Sequence, residues 1–258
     1  MQTPSFSIIT PAFNCADKIK GTIDSVLAQN ESLLEYWIID GGSTDGTVAC
    51  LRTYNSRIHW LSEPDRGVYD AMNKGVSRAR GRYILFLGAG DLLLPHALEE
   101  ISLHLPSNDS YFLYCNAMMG SRVYDGPFTR EKLCVRNICH QAILYGREVF
   151  RDVGQFNLKY PFLADWEFNM RCFSAKSIRK LYAPLTISVF ELGGISALRD
   201  QAFEDDKREL IRRYLGWRAL LFWFLWKNYK SPLGDKVRCA LNTLFQHLRG
   251  SRDFWTMK

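Results

Sequence analysis

Residues 83–95 read YILFLGAGDLLLP. Tyr83–Leu87 is an uninterrupted apolar run, the pattern of a strand buried on both faces in a helix-covered parallel sheet. It breaks into Gly88, Ala89, Gly90 and Asp91, three minimal side chains and then a carboxylate. Small residues let a ligand approach the backbone closely. Asp91 would stand at the carboxyl end of the strand, where open α/β sheets bind ligands. The same string also fits a strand that ends in a tight turn, with Asp91 capping the next helix.

The preceding residues repeat this grammar. Phe6–Phe13 is β-branched and apolar and predicts a central strand. Asn14 is placed to cap a helix, whose apolar face would carry Ile19, Ile23, Val26 and Leu27. Tyr36–Ile39 predicts a second strand, ending in the glycine-rich loop Asp40–Thr47 and a short helix to about Tyr54. Ile58–Leu61 predicts a third, leading into Ser62-Glu63-Pro64-Asp65-Arg66-Gly67. A helix over Val68–Arg80 would bury Tyr69, Met72, Val76 and Ala79, with Gly81 ending it. Strands and helices alternate, and each strand runs into a polar or glycine-rich loop. This predicts a doubly wound, mostly parallel sheet with a nucleotide-sized crevice. The GxGxxG fingerprint is absent, which counts against a dinucleotide dehydrogenase.

The middle is less regular. Tyr111–Tyr114 predicts a strand, Ile138–Val149 a strand running into a helix, and Asp165–Phe173 a helix. Ile187–Phe190 predicts a last strand before the loop Glu191–Ser196. Size and composition suit one folded α/β domain with an appendage: 258 residues, 47% hydrophobic and 23% charged. Seven scattered cysteines point to reduced thiols and a cytoplasmic setting. Met1–Pro4 has no basic stretch of the kind that opens a signal peptide. Cys134, Cys139 and His140 lie close together, but no second pair at a zinc-site spacing accompanies them.

The charge sits at one end. Arg199–Lys258 carries 13 Lys/Arg against 7 Asp/Glu, which accounts for the whole chain's +6. Four of the seven tryptophans, Trp217, Trp223, Trp226 and Trp255, share that segment. Ala219–Trp226 is apolar throughout yet far short of the ~20 residues of a spanning helix. Basic residues interleaved with tryptophan suit an anionic membrane surface rather than nucleic acid. The competing expectation is a helical hairpin packed on the domain. The chain therefore divides into 1–198, with halves 1–95 and 96–198, and a basic helical segment, 199–258.

Four ordered strings, SIITPAFN, IIDGGSTDGT, SEPDRGVYDAMNKG and YILFLGAGD, cover Phe6–Asp91 nearly without gaps. Together they resemble the family-2 inverting glycosyltransferases of GT-A fold, among them bacterial exopolysaccharide enzymes of the colanic-acid type. Weaker matches follow at His140-Gln141, at ADWEFNMR around Asp165 and at Gly193-Gly194-Ile195-Ser196. The resemblance implies a Rossmann-like, mostly parallel central sheet flanked by helices, here with a helical C-terminal appendage. It implies a UDP- or GDP-sugar donor, a glycan or polyprenyl-diphosphate-linked acceptor, and a role in surface polysaccharide synthesis at the inner face of the membrane.

Site roles follow from the same likeness. Thr10, Pro11, Phe13 and Asn14 would line the base and ribose pocket, and Asp40 would hydrogen-bond the base, with Ser43 and Asp45 shaping its loop. Glu63, Arg66, Gly67, Asn73 and Lys74 would lie near the donor, beside Gly88, Ala89 and Gly90. Asp45 and Asp65 read as ordinary turn residues. Many relatives carry three carboxylates across positions 88, 90 and 91; here Asp91 alone remains as ligand for Mg²⁺ or Mn²⁺, with Arg66 or Lys74 sharing the neutralisation. Asp165 is the expected catalytic base, since inversion needs one carboxylate near the attacking hydroxyl. Glu167 is the nearest alternative, and a helix N-cap is the structural reading of Asp165. His140, Gln141 and Trp166 would face the acceptor, although His140 also fits a buried, hydrogen-bonded role and Trp166 a core one. The rival functions are an inactive nucleotide- or glycan-binding protein, motivated by the thinned metal motif, and a sugar nucleotidyltransferase. The latter lacks a basic glycine-rich triphosphate loop.

Overall fold

A computed structural model describes residues 4–106, 110–191 and 198–228. The loop string at Gly193 and the end of the basic segment lie outside the described residues. Four parallel strands form one half of the sheet: β1 (Phe6–Ala12), β2 (Leu34–Asp40), β3 (His59–Ser62) and β4 (Tyr83–Phe86). The other half is mixed: β5 (Leu92–Leu93), β6 (Tyr111–Met119), β7 (Arg122–Tyr124), β8 (Ile143–Gly146) and β9 (Arg179–Phe190). Among the described residues these make one sheet in the order β3-β2-β1-β4-β8-β6-β9-β5, with β7 beside β6.

Alternating side chains feed two cores. Ile9, Ile39, Ile84 and Phe86 point to one face; Ile8, Ile38, Tyr83 and Leu85 point to the other. The second face is covered by α1 (Ile19–Leu27), α2 (Thr47–Arg52) and α4 (Ala97–Ser102). The first is covered by α3 (Val68–Arg78), α5 (Arg130–Val135), α6 (Arg147–Val153) and α7 (Ala164–Ser174). Every residue of β1 and β4 is buried, as the unbroken apolar run of β4 and the mostly apolar β1 suggest; Ser7 and Thr10 of β1 are buried with hydrogen-bond partners. The chain winds outward in both directions from β1, through β2 on one side and β4 on the other. Their carboxyl ends therefore open a crevice at the switch point.

Three local expectations are corrected. Asn14 does not cap a helix. It has φ of 45°, and its Oδ1 accepts the Thr44 N–H at 2.9 Å, so it ties two loops together; α1 starts five residues later. Gly81 does not end α3, which closes with the Ala79 N–H on the Gly75 carbonyl. Gly81 instead lies flat against β1, where a Cβ would come within 2.5 Å of the Phe6 and Ser7 backbone. The last strand also begins earlier than expected, because Arg179–Phe190 pairs along β6 through irregular register, and its end captures the two-residue β5.

The C-terminal segment packs on the body through residue 228. Asp200 caps α8 (Gln201–Leu210) through Oδ1 to the Phe203 N–H, at 3.0 Å. Its Oδ2 accepts the Phe162 and Leu163 N–H groups at the start of α7. A π-helical turn (Ile211–Leu215) and α9 (Trp217–Asn228) follow, and Phe203, Ile211, Ala219 and Phe222 are fully buried in the first core. Among the described residues no helix is long and apolar enough to cross a membrane.

The close approach at Gly81 gives a direct test. Gly81→Ala should lower stability by about 3 kcal/mol in urea unfolding, because a methyl there must displace strand backbone.

Candidate active site

The crevice is a cleft of about 620 Å³. Its floor is the carboxyl ends of β1 and β4, with Pro11, Ala12, Gly88 and Ala89. Phe13, Asn14, Cys15 and Lys18 form the rim on the α1 side, and Gly41 and Asp65 close one end. The start of α3, from Gly67 to Met72, makes one wall. His140, Gln141, Phe190 and Glu191 complete the lining.

Asp91 is the buried acid of this cleft, with 4% of its surface exposed. Its Oδ2 accepts the Gln141 Nε2 at 2.6 Å and the Gly88 N–H at 3.1 Å; its Oδ1 accepts the Glu191 N–H at 2.9 Å. Burial raises its carboxyl above the usual range, and the hydrogen bonds from Glu191 and Gln141 oppose that rise. Asp91 thus folds back into its own loop and does not cap α4, whose N-cap position is His96. A Cβ at Gly88 would sit 2.7 Å from Asp91 Oδ2, so glycine there makes room for the carboxylate.

The 3-10 turn His140–Ala142 carries this acid's partner and also faces a second acid. His140 Nδ1 lies 3.6 Å from Oδ2 of Asp165. Asp165 is 5% exposed and sits in the first turn of α7, where Leu163 is the N-cap residue, so Asp165 is not the cap. Its Oδ1 accepts the Tyr69 hydroxyl and its Oδ2 the Asn137 Nδ2, each at 2.7 Å. Asn137 is held in turn by Asn169 Nδ2 at 2.9 Å. Burial, then the Asp165 charge, holds the Tyr69 hydroxyl well above its usual pKa, so it stays a donor. Tyr69 and His140 line the cleft, and Asp165 stands directly behind them. Glu167 is taken up by Arg171, whose Nε is 2.9 Å away.

Several expected donor residues lie elsewhere. Asp40 is fully buried and sealed by its own loop: Oδ2 accepts the Gly42 and Ser43 N–H groups and the Ser62 hydroxyl, and Oδ1 accepts the Ser43 hydroxyl. It organises the loop and does not reach the cleft, and Ser43 is occupied with it. Thr10 is buried in β1, 2.9 Å from the Tyr36 hydroxyl. Asn73 clamps both backbone groups of Phe156. Lys74 is bound to Glu63 and the Pro64 carbonyl, and Arg66 to Asp70. Trp166 donates to the Leu133 carbonyl at 2.7 Å and stacks on Phe203 under Lys207, in the core rather than at the cleft. Pro11, Phe13, Asn14, Gly67, Gly88, Ala89, Asp91, His140 and Gln141 are brought together as expected. Gly90 adjoins them through Glu191.

Four residues were missed. Asp65 is the turn residue expected, its Oδ1 accepting the Gly67 N–H at 2.8 Å, and its carboxylate also fills the space that Gly41 leaves, 2.6 Å from a Cβ built there. Tyr69 reads as an apolar helix position; a buried phenol needs a partner, which was the available signal. Lys18 and Glu191 belong to no motif and meet as an ion pair at 3.1 Å.

Comparison with known proteins places the molecule. Residues 7–162 match the model of glycosyl transferase family 2. The chain belongs to glycosyl transferase family 2. A PGL/p-HBAD biosynthesis glycosyltransferase of Mycobacterium bovis is 39% identical over 209 residues, 76% of this chain and 80% of that protein. Chondroitin synthase of Escherichia coli is 29% identical over 182 residues, 66% of this chain and 26% of that protein. S. aureus TarS 1–349 in complex with UDP-GlcNAc has a TM-score of 0.64 at 18% identity, over 97% of this chain and 74% of that one. A mannosyltransferase from Pyrobaculum calidifontis in complex with GDP-Man and Mn²⁺ has a TM-score of 0.61 at 16% identity, over 96% and 81%. Likeness at these identities is one of fold, and it is the GT-A fold. This glycosyltransferase therefore carries the expected Rossmann-like sheet, and the nucleotidyltransferase reading falls away.

The family implies a divalent cation. Among the described residues of this glycosyltransferase no three His, Cys, Asp or Glu side chains gather as a metal site. Cys134 and Cys139 instead donate to the Glu131 carbonyl and to Gln141 Oε1. Asp91 uses three of its roughly four acceptor positions in the hydrogen bonds above. It fits as one ligand to an ion held otherwise by diphosphate and water.

Asp40 supports a prediction that separates scaffold from ligand contact. Asp40→Ala should cost about 3 kcal/mol or more in urea unfolding, since two backbone donors and two hydroxyls lose a buried acceptor.

Proposed function

We propose that this glycosyltransferase moves a sugar from a nucleotide-diphosphate donor to a hydroxyl of a glycan acceptor, with inversion, in the synthesis of a bacterial surface polysaccharide. The observation that carries the proposal is the pairing of two buried acids across one turn. Gln141 binds Asp91, and His140 faces Asp165. The donor would lie along the β1 and β4 ends with its diphosphate toward Asp91. The acceptor would enter on the His140 and Tyr69 side.

The reaction needs two things from the chain. The bond between the anomeric carbon and the diphosphate breaks, and its electron pair leaves on the phosphate oxygen. The acceptor oxygen forms the new bond on the opposite face, and its proton passes to Asp165. A divalent cation, when bound, would neutralise the leaving diphosphate. Asn137 and Tyr69 hold the Asp165 carboxylate in one orientation, which removes the need to organise it during reaction. The alternative, a binding protein without turnover, draws on the glycines at positions 88 and 90.

Asp165→Asn should lower transfer by ~10²- to 10⁴-fold while nucleotide affinity in calorimetry stays within about twofold. Near-full activity in that variant would remove Asp165 as the base. His140→Gln should cost far less; an equal loss would route the proton through the imidazole.

The acceptor's lipid and the membrane belong to the same proposal. On α9 the exposed residues Trp217, Leu221 and Phe224 fall at i, i+4 and i+7, with Arg218 and Lys227 also exposed. Ala219 and Phe222 on the other side are fully buried. An apolar stripe flanked by cations suits an anionic bilayer surface at the cytoplasmic face, where a polyprenyl-linked acceptor would reside. Substituting Trp217→Ser, Leu221→Ser and Phe224→Ser together should abolish flotation with phosphatidylglycerol vesicles without unfolding the protein. Undiminished flotation would sink the idea.

A further inference from the structure

A second carboxylate stands in the space that Gly90 leaves open. A Cβ built on Gly90 would overlap Oε2 of Glu191, which is a hundred residues from Asp91 in sequence. The placement follows from topology. Leu92 pairs with Val189 and Leu93 with Ser188, so the end of β9 runs beside the loop after β4. The Glu191 N–H then donates to Asp91 Oδ1 at 2.9 Å, and both side chains line the cleft. Gly90 has φ of 103°, a conformation that L side chains rarely adopt, so position 90 is ill suited to carry an acid of its own. Glu191 Oε2 pairs with Lys18 Nζ at 3.1 Å, while Oε1 has no hydrogen bond among the described residues.

We propose that Glu191 replaces the carboxylate absent at Gly90 and, with Asp91, supplies the protein's ligands to a divalent cation that binds together with the donor diphosphate. The inference rests on the cleft being a nucleotide-diphosphate site, as proposed above. A small hard cation is commonly held by one or two carboxylates together with phosphate oxygens and water. Asp91 has about one acceptor position left, on the oxygen that accepts the Glu191 N–H, and Glu191 brings a longer, half-exposed side chain to the adjoining space beside Gly90. Lys18 is the counter-charge of the cation-free state. A cation would displace it from Glu191 and leave its ammonium free for the diphosphate.

Lys18 and Glu191 therefore predict opposite effects, which a merely structural ion pair would not give. Mn²⁺ binding is read by electron paramagnetic resonance in the presence of UDP or GDP, whichever binds the wild-type protein in a metal-free titration. Loss of even an outer partner of a metal ligand typically costs ~10- to 100-fold in affinity, so Glu191→Gln should weaken Mn²⁺ binding at least ~tenfold. Metal-free nucleotide binding by that variant should not weaken, which also shows that it is folded. Lys18→Gln should tighten Mn²⁺ binding, since it frees the carboxylate. Mn²⁺ affinity of Glu191→Gln within about twofold of wild type overturns the inference. So does wild-type protein that binds nucleotide and transfers sugar in EDTA with no uptake of Mn²⁺, an outcome that leaves the transferase reading intact. Wild-type protein that binds neither UDP nor GDP and turns over no donor overturns both.

Discussion

A buried carboxylate at the carboxyl end of β4 is the constraint around which the cleft is assembled. An ionised acid out of water is tolerated only when donors surround it, because the desolvation cost is several kcal/mol. The three donors to Asp91 come from three segments: its own loop, the end of β9 and the turn at Gln141. Satisfying one charge therefore brings together the two halves of the sheet. The same turn sets His140 against Asp165, so one short piece of backbone contacts both buried acids.

The glycines of these loops follow one rule. Gly41, Gly88 and Gly90 each lack the Cβ that would collide with a carboxylate, of Asp65, Asp91 and Glu191 respectively. Two of those acids come from other segments of the chain. A carboxylate from the end of β9 thus stands beside a motif position that carries none, and the negative charge of the cleft does not follow the order of the sequence. Lys18 balances part of that charge at the rim.

The basic segment has two faces with different physics. Asp200 joins α8 to the backbone that starts α7, so the segment helps fix the helix that carries Asp165. Through α9 it completes the core with Phe222 and still leaves tryptophan, leucine and phenylalanine in water. It is therefore part of the domain's scaffold as well as a surface of unusual composition. An apolar run with no polar side, as in Ala219–Trp226, does not by itself say which positions will be covered.

The sequence by itself determined the parallel half-sheet, the crevice and the family. Burial on both faces writes continuous apolar runs, and switch-point loops write glycine and acid at strand ends; both are local signals. It also marked Asp91, Gln141 and Asp165, whose neighbours carry recognisable strings. Only the tertiary structure decided which polar residues face the cleft. Asp40 looked available and is sealed by its own loop, whereas Asp65 makes the turn its string suggests and also lines the cleft. Glu191 and Lys18 are distant in sequence and meet because a two-residue strand pairs with β9. A local string records what a segment prefers, but the direction of a carboxylate depends on donors and empty space supplied by other segments, and those exist only once the sheet has closed.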